Sequence, residues 1–287
     1  MALPKYTETR YRIWHYSYLI ICTAVFIFLI APLFVIIPLS FNAEQYIHFS
    51  AGMLALEPES FSLRWYEDMI YGTKNPWGMA VRNSFYFAFF ATIGATTLGT
   101  IAALGLSSRY MPYKSLIMSI LISPMIIPLI ISGSAIFFSL AKVGLASSFT
   151  GVVIAHIILG TPFVVITVTA TLSGFDDSIT RAASSLGSTP TNTFFKITLP
   201  LITPGIISGA LFAFVTSFDE IVVILFVAGG ERSLTTIPLQ MWTGLREQLS
   251  PTIMAVATCL IVLSTLILIV TELLRRRSER IRGISAQ

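Results

Sequence analysis

The chain has 287 residues, of which 55% are hydrophobic and only 11% charged, with a formal net charge of +4 and a mean hydropathy of +0.81. Soluble domains carry about 25% charged residues, so this composition excludes an ordinary water-soluble enzyme and points to an integral membrane protein. Cys22 and Cys259 lie in different apolar stretches without metal-ligand spacing, so they read as packing residues and no metal site is expected.

Six stretches approach or exceed the ~20 residues a helix needs to cross a hydrocarbon core: 17–41, 83–107, 116–141, 150–172, 205–228 and 252–274. Barrel-type alternation is absent, so an all-α integral membrane protein with six transmembrane helices is expected. The chain then divides into an N-terminus (1–16), a first helix (17–41), an outer loop (42–82), a five-helix core (83–274) containing a loop at 173–204, and a basic tail (275–287). The first span follows Lys5, Arg10 and Arg12, but its length and the lack of a small-x-small pattern in "IPLSFNAEQ" favour a retained helix over a signal peptide. Most Lys and Arg lie in the N-terminus, the 107–115 connection, the 173–204 loop and the tail. The positive-inside rule therefore puts both termini and that loop in the cytoplasm. Beside a span, the tail "RRRSERIR" reads as a topology anchor facing lipid, not a nucleic-acid site.

The second span carries Ala91, Ala95, Gly99 and Ala103, and the fifth carries Gly205, Gly209, Ala213 and Ser217. A small residue at every fourth position lets helix backbones approach closely, within one bundle or across a subunit interface. "GATTLGT" (94–100) has phosphate-loop-like glycines but no Lys and lies inside a span, so no nucleotide site is expected in this chain. In the third span "SPMIIP" pairs Pro124 with Pro128, a stronger kink candidate than Pro32, Pro38 or Pro162 alone.

The 173–204 loop reads as helix, turn, helix. Asp176 or Asp177 can cap the first helix, whose Ile179, Ala182, Ala183 and Leu186 fall on one face. Gly187 suits a left-handed stop, and Ser188 or Thr189 can cap a second helix opened by Pro190. A shallow apolar face of this kind suits the groove of another protein.

This segment resembles the coupling loop of binding-protein-dependent ABC importer permeases, whose pattern E-A-A-x-x-x-G precedes an I-x-L-P. Ala182, Ala183, Gly187, Ile197, Leu199 and Pro200 match it, while Arg181 stands where the family usually has Glu. The resemblance implies the type I importer permease fold and a coupling helix seated on a cytosolic ABC ATPase dimer that binds ATP and Mg, leaving this chain without a cofactor. It also implies a second permease subunit, expected to be homologous but not identical, an external solute-binding protein, and a bacterial inner-membrane location. Arg181, Ala182, Ala183, Leu186, Gly187 and Pro200 are the expected ATPase-coupling residues.

"SFDEIVVILFVAG" places Asp219 and Glu220 deep in the fifth span, where charges are costly and functional by default. On a continuous helix the two acids point about 100° apart, with Glu220 near the small-residue stripe and Asp219 away from it. His156 lies at a depth that permits pairing with these acids. Two carboxylates favour a cationic cargo, with cation–π help from Phe218 if it faces the path. The expected pathway residues are therefore Asp219, Glu220, Phe218 and His156. "FSLRWYEDM", "GFDDSITRAASSLG" and "SFDEIVV" look like the spermidine/putrescine permease subfamily, which also holds importers for opines, amino acids, iron and thiamine. Two other classes compete: an ion-coupled secondary transporter with Asp219, Glu220 and His156 as a proton relay, and an intramembrane hydrolase using Ser132 or Ser134 with His156.

Overall fold

The computed structural model describes residues 8–72, 77–108, 110–247 and 250–281, and for residues 177, 247, 267, 268 and 270–281 it describes the backbone alone. Lys5, Arg109, the tail beyond residue 281 and the capping role of the Asp177 side chain lie outside this description. The described residues are helical throughout apart from loops and one isolated bridge between Asn42 and Phe61. They form two compact units, residues 1–76 with 244–287, and Trp77–Thr243.

In the first unit, α1 (Thr9–Leu39) runs unbroken through Pro32 and Pro38 and buries only Leu39 of its residues. Apolar all round, it is a membrane helix with little packing of its own. Short helices α2 (Ala51–Leu54) and α3 (Arg64–Tyr71) follow. Asn42 ties their loop together, its side-chain NH2 donating to the carbonyls of Tyr46 and His48 while its own carbonyl accepts the Trp65 indole N–H at 2.7 Å. The last helix of the chain, Thr252–Ile281, packs against α1 and α3, and Thr252 donates to Asp68 Oδ2 at 2.8 Å. It groups with this unit.

The second unit is built on α4 (Trp77–Ser107), α7 (Phe149–Ser173) and α10 (Leu199–Asp219). Both small-residue stripes face inward here. Gly160 lies between Ala95 and Ala213, so a Cβ there would sit 3.2 and 3.1 Å from their methyl groups. A Cβ on Gly209 would lie 2.8 Å from Val164 Cα. In lipid, where hydrophobicity does not drive helices together, such close backbone packing is the main source of cohesion. Gly94 and Gly99 of "GATTLGT" serve the same contact, against Ile157 and Val164.

Two expected spans are interrupted. The third consists of α5 (Lys114–Ile126) and α6 (Leu129–Lys142), bent by 106° at Ile127–Pro128. Ile127 is extended, the conformation a following proline favours. The fifth ends as α10 at Asp219; Glu220 is extended, and a separate α11 (Val222–Val227) follows. Between these spans lie α8 (Asp177–Ser185) and α9 (Pro190–Thr193), and α12 (Ile237–Glu247) precedes the last helix, α13. A π-helical turn, Phe194–Thr198, carries α9 into α10, so the second loop helix is continuous with the fifth span and Pro200 sits in the first turn of α10. Among the described residues four helices are long and apolar enough to cross a membrane, five with α5–α6 as one bent span, and Thr252–Leu266 of α13 is a shorter apolar stretch.

Candidate functional site

The first candidate surface is the loop of α8 and α9. Asp176 caps α8, with Oδ1 accepting the Ser178 N–H at 2.8 Å and Oδ2 the Ser178 hydroxyl at 2.6 Å. Those bonds, the hydroxyl's first, together with the positive charge of Arg181, hold the Asp176 carboxyl below its ordinary pKa. The helix stops at Gly187, whose φ of +83° is left-handed. Its N–H donates to Ser184 O and that of Ser188 to Ala183 O, both at 3.0 Å, which closes the last turn. Thr189 caps α9 through Asn192 N–H at 3.3 Å.

The predicted apolar face divides. Ala183 is buried against its own chain, while Arg181, Ala182 and Leu186 are exposed, Leu186 at 89%. Leu186 and Ala182 thus form an exposed apolar pair on α8. Pro200 is exposed at the start of α10.

The second candidate site is the break after Asp219, and here the two acids differ sharply. Glu220 is 7% exposed, and its Oε1 accepts the N–H of Val223 at 2.8 Å, at the start of α11. A carboxylate at a helix N-terminus is favourable because unpaired N–H groups gather there. Asp219 is exposed and, among the described residues, has no hydrogen-bond or ion-pair partner. It stands at the C-terminal end of α10, where the helix dipole opposes a negative charge. The continuous-helix geometry expected from the sequence does not hold, because Glu220 has left the helix to cap the next one.

His156 does not meet either acid. It is 1% exposed and its Nδ1 shares a 2.6 Å hydrogen bond with the Ser217 hydroxyl. The ring of Phe87 packs 6.2 Å away, and His156 Nε2 has no hydrogen-bond partner among the described residues. Neither Ser132 nor Ser134 joins it: Ser132 Oγ is buried without a hydrogen-bond partner among the described residues, and Ser134 donates to the carbonyls of Ile130 and Ile131. Phe218 packs between Phe85 (5.1 Å) and Phe214 (5.7 Å) and is half-buried. The sequence reading missed Ser217 as a polar partner, since it stands in a small-residue stripe where packing alone explains it.

Residues 95–280 match the family of binding-protein-dependent transport system inner membrane components. The chain belongs to this family. It is the non-catalytic membrane permease of an ABC importer, with ATP hydrolysis in a separate chain. The family implies an ATPase, a solute-binding protein and a second permease as its partners. The permease is 30% identical to the spermidine/putrescine transport system permease protein PotC of Haemophilus influenzae, over 89% of its own length and 95% of the relative's. It is 32% identical to the putrescine transport system permease protein PotI of Escherichia coli K12, over 90% and 91%. A solved bacterial ABC transporter involved in the import of the acidic polysaccharide alginate superposes with a TM-score of 0.69, covering 96% of the permease and 99% of that chain. At 15% identity this likeness shows the fold alone, which is that of a type I importer permease.

Proposed function

We propose that the permease imports amine-bearing cations of the spermidine and putrescine type, and that Asp219 is the carboxylate that receives them. The observation that carries this reading is the contrast between the two acids. Glu220 is buried and committed to capping α11, whereas Asp219 is exposed and, among the described residues, unpaired where its charge destabilises its own helix. A carboxylate kept at such a cost needs a cation from outside the fold. The last carbonyls of α10 add negative potential beside it, since half-helix C-termini are suited to cations in transporters. The named substrates of the PotC and PotI relatives point to the same class of cargo.

Both termini and the α8–α9 loop lie on the cytoplasmic side in this reading, following the distribution of Lys and Arg. Arg181, Ala182, Ala183, Leu186, Gly187 and Pro200 form or support the seat of an ATPase dimer, which binds ATP and Mg; the permease itself needs no cofactor. The second permease is a homologous, non-identical chain. The test is spermidine and putrescine uptake by the assembled transporter in vesicles. Asp219→Asn should lower uptake efficiency at least tenfold, about 1.4 kcal/mol, at unchanged membrane level. Undiminished uptake by this variant would remove the assignment.

A further inference from the structure

We propose that His156 is a positioning residue: through its hydrogen bond to Ser217 it holds the final turn of α10 and so sets where the Asp219 carboxylate sits. The inference rests on the reading of Asp219 as the carboxylate that meets the cargo. The last turn of α10 ends at a break: Glu220 turns extended immediately after Asp219, and α11 starts as a separate helix. The final carbonyls of a helix have no intrahelical donors, so contacts from neighbouring elements help to fix its last turn.

Along the rest of the α7–α10 contact Gly205, Gly209 and Ala213 face Thr171, Thr167, Val164 and Gly160, and the ring of Phe212 stacks on Phe163 at 6.2 Å, two turns before Asp219. The small-residue contacts fix distance but little else, because dispersion is not directional. Among the described residues the His156–Ser217 bond is the only side-chain hydrogen bond between the two helices, and it falls two residues before Asp219. Both partners are buried, at 1% and 5% exposure, where a hydrogen bond is stronger than in water. Phe87 of α4 lies against the imidazole, and among the described residues His156 Nε2 has no hydrogen-bond partner, so the polar contact of the histidine is the one from Nδ1 to Ser217. His156 therefore acts on the pathway at one remove and does not line it.

The test reads the position of residue 219 directly. In the assembled transporter with Cys22→Ala, Cys259→Ala and Asp219→Cys, the rate of labelling by a membrane-impermeant maleimide is measured. Ser217→Ala and His156→Phe should each change that rate at least threefold, and the double variant no further. His156→Asn keeps a polar atom near the Nδ1 position and should restore most of the original rate. Labelling of Phe212→Cys in place of Asp219→Cys, at a site 54% exposed two turns earlier, should not respond. With Asp219 intact, the same variants should raise the half-saturating amine concentration more than they lower the maximal rate. Unchanged labelling at 219, additive effects, or an equal change at 212 would overturn the proposal. Should His156→Phe fail to reach the membrane, Ser217→Ala, which removes one oxygen atom, decides alone. A wild-type complex that transports no amine would refute the cargo reading while leaving the labelling comparison valid.

Discussion

Gly187→Val is the cleanest way to perturb the coupling surface. Gly187 adopts φ +83° and closes α8, and a Cβ built there meets nothing within 4 Å. The substitution therefore adds no clash; its cost comes from forcing a β-branched residue into the left-handed region, about 1–2 kcal/mol. If α8 escapes that strain by unwinding its last turn, the bonds from Gly187 and Ser188 to Ser184 and Ala183 are lost, and Leu186 moves with them. A docking equilibrium that depends on that turn should weaken by about 5–30-fold, the factor matching 1–2 kcal/mol. Gly187→Asn, which tolerates the left-handed region better, should fall in between. The assay is ATPase retention on the purified permease across a dilution series, with permease abundance in the membrane as control. Full retention by Gly187→Val at normal abundance would refute the role given to this turn.

Gly209→Ala should destabilise the α7–α10 contact by about 1–3 kcal/mol, because the new Cβ would press to 2.8 Å from Val164 Cα. Gly105→Ala, with open space around its Cβ, should be neutral or stabilise α4 by up to about 1 kcal/mol, and thermal unfolding in detergent compares the two. Glu220→Gln should be mild, since the amide oxygen can still accept the Val223 N–H, whereas Glu220→Ala should lower transporter yield by leaving that N–H unpaired. The Asp176 cap responds to acid in one direction. Its carboxyl is shifted down from 3.8, so its contribution is complete above that value and is lost only as pH falls further, through the depressed value. The protection of Ser178 N–H, its exchange rate relative to the intrinsic rate at each pH, should accordingly hold from neutral pH towards 4 and fall below it.

The apolar runs were legible because bilayer thickness imposes a length on the sequence, and α7 spans Phe149–Ser173 where hydropathy gave 150–172. The stop at Gly187 and the four-residue stripe of α10 were legible for the same kind of reason: each depends on local geometry written in consecutive residues. The break at Glu220 was not. No proline or glycine marks it; what accompanies it is the Glu220 carboxylate accepting the N–H of Val223, three residues on. Without that break the two acids looked like adjacent positions of one helix. The partner of His156 was hidden for another reason, since 61 residues separate it from Ser217 and only the pairing of α7 with α10 brings them together.

The most direct measurement is uptake of radiolabelled spermidine into vesicles carrying the full transporter, with ATP inside and the solute-binding protein outside. The account predicts uptake that requires both, persists when the proton gradient is collapsed, and falls sharply in Asp219→Asn. Uptake that proceeds without ATP and follows the proton gradient would contradict it.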